Sequence, residues 1–322
     1  MRASLFIAAL VSLCLGAAGL ASATPSNAGV ARLTVAGAEP FDMLVWYPTP
    51  VEAAPWQAGP FIVRAGRDAP IAPGRFPVVL LSHGGGRTGG SPMLLGQLSA
   101  RLAREGFIVI APFHGRTRFV QRTHQMVRSF EAAQSDSRLG PHIAADRVAT
   151  LGFSLGGAVA LVLAGAIPDF ALLDTYCAAH PEDARSCGGG PSADGGAGAS
   201  PAMPRTPRPV PPVLPLRALV LLDPFAVLFG KDGLAGVRTP VLLVRPRDSS
   251  LGEDNVRSLA DGLPRPPQLE RVPGGHFIFV DICPAALSAE APELCRDAAG
   301  VDRTSVHSDV EAAIVRFLRA NL

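Results

Sequence analysis

The chain has 322 residues carrying 29 basic and 27 acidic side chains, a net charge of +2. So even a balance excludes the strongly basic surface that nucleic-acid binding requires and fits a mixed, solvated exterior. The length allows one large or two small domains, and no internal repeat is visible; the repeated strand-then-helix pattern described below favours one core with insertions.

Residues 1–23 read as an export signal to be set aside before fold reasoning. Arg2 supplies a positive start, Leu5 to Leu15 an apolar run, and Ala21-Ser22-Ala23 a small-residue cleavage site, so the mature chain is expected to start at Thr24. The apolar run is short and no positive flank follows it, which argues against a stable membrane anchor. Leu13 before Cys14 argues against lipid attachment. The expected location is periplasmic or extracellular. In such an oxidising compartment Cys177, Cys187, Cys283 and Cys295 are expected in disulfides. Spacing favours Cys177 with Cys187 and Cys283 with Cys295, and the absence of close Cys pairs or paired His disfavours a metal site.

Alternation around Arg32-Leu33-Thr34-Val35 and Met43-Leu44-Val45-Trp46-Tyr47 predicts an antiparallel strand pair. The Pro/Gly-rich stretch from there to Gly74 is expected to meander. Pro77 to Ser82 is a continuous apolar run, the mark of a strand covered on both faces, and His83-Gly84-Gly85-Gly86 follows at once. Ser91-Pro92 opens a helix whose buried stripe is Leu94, Leu95, Leu98 and Leu102, and Gly106 ends it. Phe107 to Ile110 is the next strand, a helix is predicted from about Gln125 to Arg138, and Val148 to Phe153 is a further strand.

Between about Thr175 and Pro215 the pattern gives way to an insertion dense in Gly, Pro, Ala and Ser. Gly188 to Pro211 has little that a core could bury and is expected to be poorly ordered. Strands resume at Arg217 to Leu222, Val241 to Val244 and Leu269 to Val272. A helix from Asp309 to Leu322, capped by Ser308 with Glu311 three residues on, closes the chain. Strictly alternating strands and helices imply a mostly parallel twisted sheet with helices on both faces and a site at the carboxyl ends of the strands.

Ser154 stands at such an end, in Gly152-Phe153-Ser154-Leu155-Gly156, where an apolar strand meets a run of helix formers. The string alone is weak, but the strand-to-helix context is what a nucleophile elbow needs: glycines on either side permit the sharp turn, and the helix N-terminus favours negative charge. A serine hydroxyl needs a base, and the base an orienting acid, in this architecture in chain order Ser, Asp, His. His276 follows the last predicted strand through Pro273-Gly274-Gly275 and is the favoured base over His180 and His307. Asp248, directly after Val241 to Val244, is the favoured acid. Asp223 and Asp254 stay open as alternatives, Asp223 as a simple strand end and Asp254 as a helix cap. The N–H of Leu155 and one from Gly85 or Gly86 are candidates for an oxyanion hole, and Phe153, Phe277 and Phe113 for an apolar substrate pocket.

Pro77 to Gly86, the Gly152–Gly157 stretch, Asp248 and Gly275-His276-Phe277 together resemble the α/β-hydrolase superfamily. The likeness is closer to its exported dienelactone-hydrolase-like and platelet-activating-factor-acetylhydrolase-like esterases. It extends over roughly Val30 to Leu322, with two departures: true dienelactone hydrolases use Cys where this chain has Ser154, and the Pro/Gly-rich insertion is long. The resemblance implies an α/β-hydrolase fold spanning residues 24–322 as one domain. It also implies an exported serine esterase that acts on small-molecule or lipid-like esters through an acyl-enzyme and needs no cofactor. A catalytically silent binding protein of the same fold, or an acyltransferase using the same three residues, are the alternatives.

Overall fold

The computed structural model describes residues 27–85, 90–188 and 214–322. The expected leader, Gly86 and nearly all of the segment expected to be poorly ordered lie outside the described residues.

Ten strands form one mixed sheet. In chain order they are β1 (Asn27–Val35), β2 (Phe41–Thr49), β3 (Ala54–Ala58), β4 (Phe61–Arg67), β5 (Phe76–Ser82), β6 (Ile108–Pro112), β7 (Ile143–Phe153), β8 (Ala218–Leu222), β9 (Val241–Asp248) and β10 (Gln268–Gly275). Their order across the sheet is β10-β9-β8-β7-β5-β6-β2-β1-β4-β3. From β6 to β10 the neighbours are parallel, while β1 and β2 form the expected antiparallel pair and β2 joins β6 antiparallel.

The stretch expected to meander instead contains the β3–β4 hairpin, closed where Ala58 pairs with Phe61. Gly59 adopts φ +60° in that two-residue turn, and the alternation of buried Phe61, Val63 and Ala65 with exposed neighbours seats one face of β4 on the core.

Ten α-helices lie among the described residues: α1 (Gly96–Arg104), α2 (Phe119–Ser135), α3 (Leu155–Leu163), α4 (Phe170–Ala179), α5 (Ala184–Cys187), α6 (Lys231–Leu234), α7 (Asp254–Gly262), α8 (Ala285–Glu290), α9 (Pro292–Cys295) and α10 (Arg303–Asn321). The central strands are buried on both faces, so alternate side chains feed two separate cores. Val78 and Leu80 of β5 pack with Met126 and Phe130 of α2 and Leu161 of α3. Val79 and Leu81 pack with Leu98 and Leu102 of α1 and Ile314 and Leu318 of α10. This is why β5 and β8 read as unbroken apolar runs.

Three helix starts differ from the expectation. Ser91 caps a short 3₁₀ turn, Pro92–Leu95, and α1 begins only at Gly96. α2 begins at Phe119, where the Gln121 Oε1 reaches back to accept the Arg118 N–H (2.9 Å). α10 begins at Arg303, because the Asp302 carboxylate accepts the N–H groups of Thr304 and Ser305; Ser308 lies inside the helix. The disulfides join Cys177 to Cys187 and Cys283 to Cys295, with Cα separations of 5.4 and 5.6 Å. Among the described residues no helix is long and apolar enough to cross a membrane.

Candidate active site

β7 runs into α3 through a single residue, Ser154, whose backbone sits at φ +54° and ψ −121°. A non-glycine residue pays a strain cost there, and three neighbouring contacts fix the turn. Ser154 N–H donates to the Leu222 carbonyl (3.0 Å), while its own carbonyl accepts from Gly157 (2.9 Å) and Phe225 (2.9 Å). A Cβ on Gly152 would lie 2.2 Å from the Gly156 carbonyl oxygen, and one on Gly156 would lie 2.0 Å from that of Ser82. The flanking glycines are therefore required by close backbone packing.

The Ser154 hydroxyl lies 3.0 Å from Nε2 of His276, and Nδ1 of His276 lies 2.6 Å from Oδ2 of Asp223. His276 opens a short 3₁₀ turn after β10 and is 3% exposed. Its ring packs at 5.0 Å on Phe153 and at 4.9 Å edge-on to Phe277. Asp223, fully buried, directly follows β8 and has φ +40°, in the left-handed region.

The acid facing His276 is thus Asp223, and the expectation of Asp248 is corrected. Asp248 ends β9 beside Gly275, exposed and directed to solvent, because it falls where the strand leaves the core. Asp254 opens the first turn of α7 and pairs with Arg257, with Glu253 as the cap residue. His307 is bound to the Ile278 carbonyl (2.6 Å), and His180 is half exposed beside Glu182.

The Asp223 carboxylate has two further partners. Oδ1 accepts from Nη1 of Arg245 at 2.6 Å, and Oδ2 also accepts from the Ser249 hydroxyl. Sequence reasoning missed both. The available signal was Arg245 itself, a charge directly following the apolar run Val241 to Val244, where a buried cation needs a buried anion.

The loop after β5 stands against the elbow. A Cβ on Gly84 would meet Ser154 Cβ at 3.4 Å and one on Gly85 would meet Leu155 Cδ2 at 2.5 Å. Beneath the loop, His83 Nδ1 donates to the Gly84 carbonyl (2.7 Å) while its Nε2 accepts the His114 N–H (3.3 Å). Burial, and then the Arg122 guanidinium, pushes His83 down to about 3. His114 in turn reaches Ser82 Oγ and Gln125 Oε1. The loop is held by neutral, fully hydrogen-bonded imidazoles.

Of the three phenylalanines, Phe277 is half buried beside His276, but Phe153 is 2% exposed and supports the imidazole within the core. Phe113, half buried, lies under the Arg32 guanidinium. Among the described residues no group of three or more His, Cys, Asp or Glu is arranged to hold a metal ion.

No family model matches the chain, and no curated protein sequence matches it. Solved structures do. A ferulic acid esterase from Streptomyces cinnamoneus is similar with a TM-score of 0.62, at 19% identity over 94% of this chain and 92% of that one. Esterase LipW from Mycobacterium marinum gives 0.51 at 13% identity over 91% and 82%. A structure from work on two fungal esterases of Rhizomucor miehei gives 0.53 at 13% identity over 92% and 85%. With the sheet order and the elbow described above, these likenesses establish an α/β-hydrolase fold.

Proposed function

We propose that the protein is a serine hydrolase of carboxylic esters, acting through an acyl-enzyme on Ser154. The observation that carries this reading is the unbroken chain Ser154 Oγ, His276 Nε2, His276 Nδ1, Asp223 Oδ2, at 3.0 and 2.6 Å. Those are the distances that proton transfer and orientation of the base need.

His276 takes the Ser154 proton as Oγ attacks the ester carbonyl. The resulting oxyanion is received by the Leu155 N–H at the head of α3 and by the Gly85 N–H. Collapse of the intermediate breaks the bond to the alcohol oxygen, which leaves with the proton from His276. Water then attacks the acyl-enzyme, giving its proton to His276, and the carboxylic acid departs as that proton returns to Ser154. The similar solved structures are named as esterases, which supports small-molecule esters as the substrate class. Half-buried Phe277 is the apolar side chain we assign to the substrate side.

Among esterases we place the chain nearest the exported dienelactone-hydrolase-like and platelet-activating-factor-acetylhydrolase-like groups. The Gly152-to-Gly157 and Gly275-His276-Phe277 stretches support that placement, while an acid directly after β8 departs from the position the resemblance implied. The two disulfides and the leader-like residues 1–23 support export.

A fluorophosphonate probe tests the reading directly. Labelling at Ser154, with turnover of p-nitrophenyl acetate or butyrate, is the expected result; a folded protein labelled elsewhere or not at all overturns it.

A further inference from the structure

Asp223 is held from behind as well as from the front. Oδ1 takes Nη1 of Arg245 at 2.6 Å, on the opposite oxygen from His276. Arg245 is 3% exposed, and its Nη2 donates to the Leu251 carbonyl at 2.7 Å. The Leu251 N–H in turn reaches the Ser249 hydroxyl (3.1 Å), which donates to Asp223 Oδ2. Arg245, Ser249 and Leu251 thus form one closed bracket around the carboxylate.

Stability alone does not explain this arrangement. Burying an ion pair costs desolvation that an aliphatic pair avoids, and hydrophobic replacement of such pairs is often neutral or stabilising. The four residues before Arg245 are aliphatic and fit the core. The Arg245 Nε moreover has no hydrogen-bond partner, a further cost of keeping a guanidinium here.

Resting on the ester-hydrolase reading, we propose that Arg245 is a positioning residue for the reaction. It fixes the Asp223 carboxylate toward His276 and places a positive charge directly behind that carboxylate. A lone buried carboxylate beside His276 would draw a proton onto the ring and leave it unable to accept one from Ser154. The adjacent guanidinium offsets that attraction, because Coulomb interactions are weakly screened where both partners are buried.

The other groups around His276 do not supply this offset. Ser154, Phe153 and Phe277 are uncharged, and Ser249 contributes only a neutral donor. Arg185 of α5 lies over the Phe277 ring (4.7 Å) and is exposed, so water screens it. Glu253 approaches Arg245 only at 3.6 Å and is paired with Arg271, with its side chain 49% exposed; it leaves the Arg245 charge largely uncancelled.

The test compares pH profiles of kcat/KM for the full chain and four variants on p-nitrophenyl acetate. Arg245→Met and the smaller Arg245→Gln should move the acid limb upward by about one pH unit, recovering much of their activity at alkaline pH. Arg245→Lys, which keeps the charge, should leave the limb near its wild-type position while lowering kcat. Ser249→Ala should lower kcat several-fold with the limb in place. A uniform loss at all pH values in both neutral variants, or a shift in the Lys variant as large as in Met, would overturn the proposal. Loss of fold in both neutral variants would also overturn it, by making Arg245 a core residue. Fluorophosphonate labelling of wild-type Ser154 keeps the two readings apart: labelling with an unmoved limb defeats only the role of Arg245, and absent labelling defeats the hydrolase reading itself.

Discussion

Gly156 and Ser82 touch backbone to backbone: a Cβ added to Gly156 would lie 2.0 Å from the Ser82 carbonyl oxygen and 2.7 Å from that of His83. The first turn of α3 is therefore pressed directly onto the end of β5, and this contact sets the distance between Ser154 and the loop of Gly84 and Gly85. Gly156→Ala must push these backbones apart. It should reduce kcat at least tenfold and lower the melting temperature, read by esterase assay and thermal unfolding on one preparation. Wild-type values for both would show that the contact is not rigid.

Asp223→Asn should lower kcat on the order of 10⁴-fold, because the imidazole loses its orienting charge while the nucleophile remains. Asp248→Asn should stay within about twofold of wild type, since an exposed side chain outside the site contributes little. Steady-state kinetics on the two variants separates the strand ends, and a large loss in Asp248→Asn with little in Asp223→Asn would reverse the assignment.

The choice between those two aspartates shows where sequence reading stops. Ser154 was legible because Gly152 and Gly156 are forced by backbone contacts on either side of it, and a residue type forced by geometry leaves a trace in the sequence. His276 was legible from its place after the last strand. Asp223 directly follows β8 and Asp248 ends the adjacent parallel strand β9, so an aspartate closes an apolar run in both places and the sequence does not tell them apart. What separates them is backbone conformation, φ +40° at Asp223, and the buried Arg245 that pairs with it. The β3–β4 hairpin was hidden for a similar reason: Pro55 and Pro60 masked an alternation that only the burial of Phe61, Val63 and Ala65 reveals.

Ser154 has a stability consequence opposite to the catalytic one proposed for it. A side chain at φ +54° is strained, and removing the Cβ relieves that strain. Ser154→Gly and Ser154→Ala should both lose activity by about 10⁶-fold. Ser154→Gly should nevertheless be the more stable of the two by about 1 kcal/mol, measured by urea unfolding. Equal stabilities would mean that the elbow carries no strain.

Asp281 is buried, and its carboxylate accepts the Gln97 N–H at the start of α1 (2.9 Å). Burial raises it to about 8, with the backbone bond to Gln97 opposing and nearby Glu311 adding to the rise. An acid whose folded value is raised binds a proton in the folded state that the unfolded chain has released. Its stabilising contribution is thus full below about 4 and is lost as pH rises toward 8. Asp281→Asn, which keeps an acceptor for Gln97 without the charge, should remove that loss, about 1.4 kcal/mol per pH unit across the window. Unfolding free energies at pH 5 and 7 for the two proteins give the difference in slope, and parallel lines would contradict the assignment.

His83 works in the opposite direction. Its Nδ1 donates to Gly84 and its Nε2 accepts from His114, so both ring nitrogens are satisfied only in the neutral form. A second proton would place a charge in a fully buried site near the Arg122 guanidinium, which is why the value falls to about 3, and it would also break the bond to His114. Between that value and the ordinary histidine range near 6.5 the unfolded chain binds the proton and the folded chain does not. Stability should therefore be full above about 6.5 and fall as pH drops, by about 1.4 kcal/mol per unit for this one group. His83→Gln replaces the imidazole with a side chain that does not titrate. The variant should be less stable at pH 7 because the loop loses a fitted partner, yet its unfolding free energy should decline less steeply between pH 6 and pH 4. Urea unfolding at several pH values checks this: a slope difference near one proton is expected, and identical slopes would show that His83 is protonated in the folded protein.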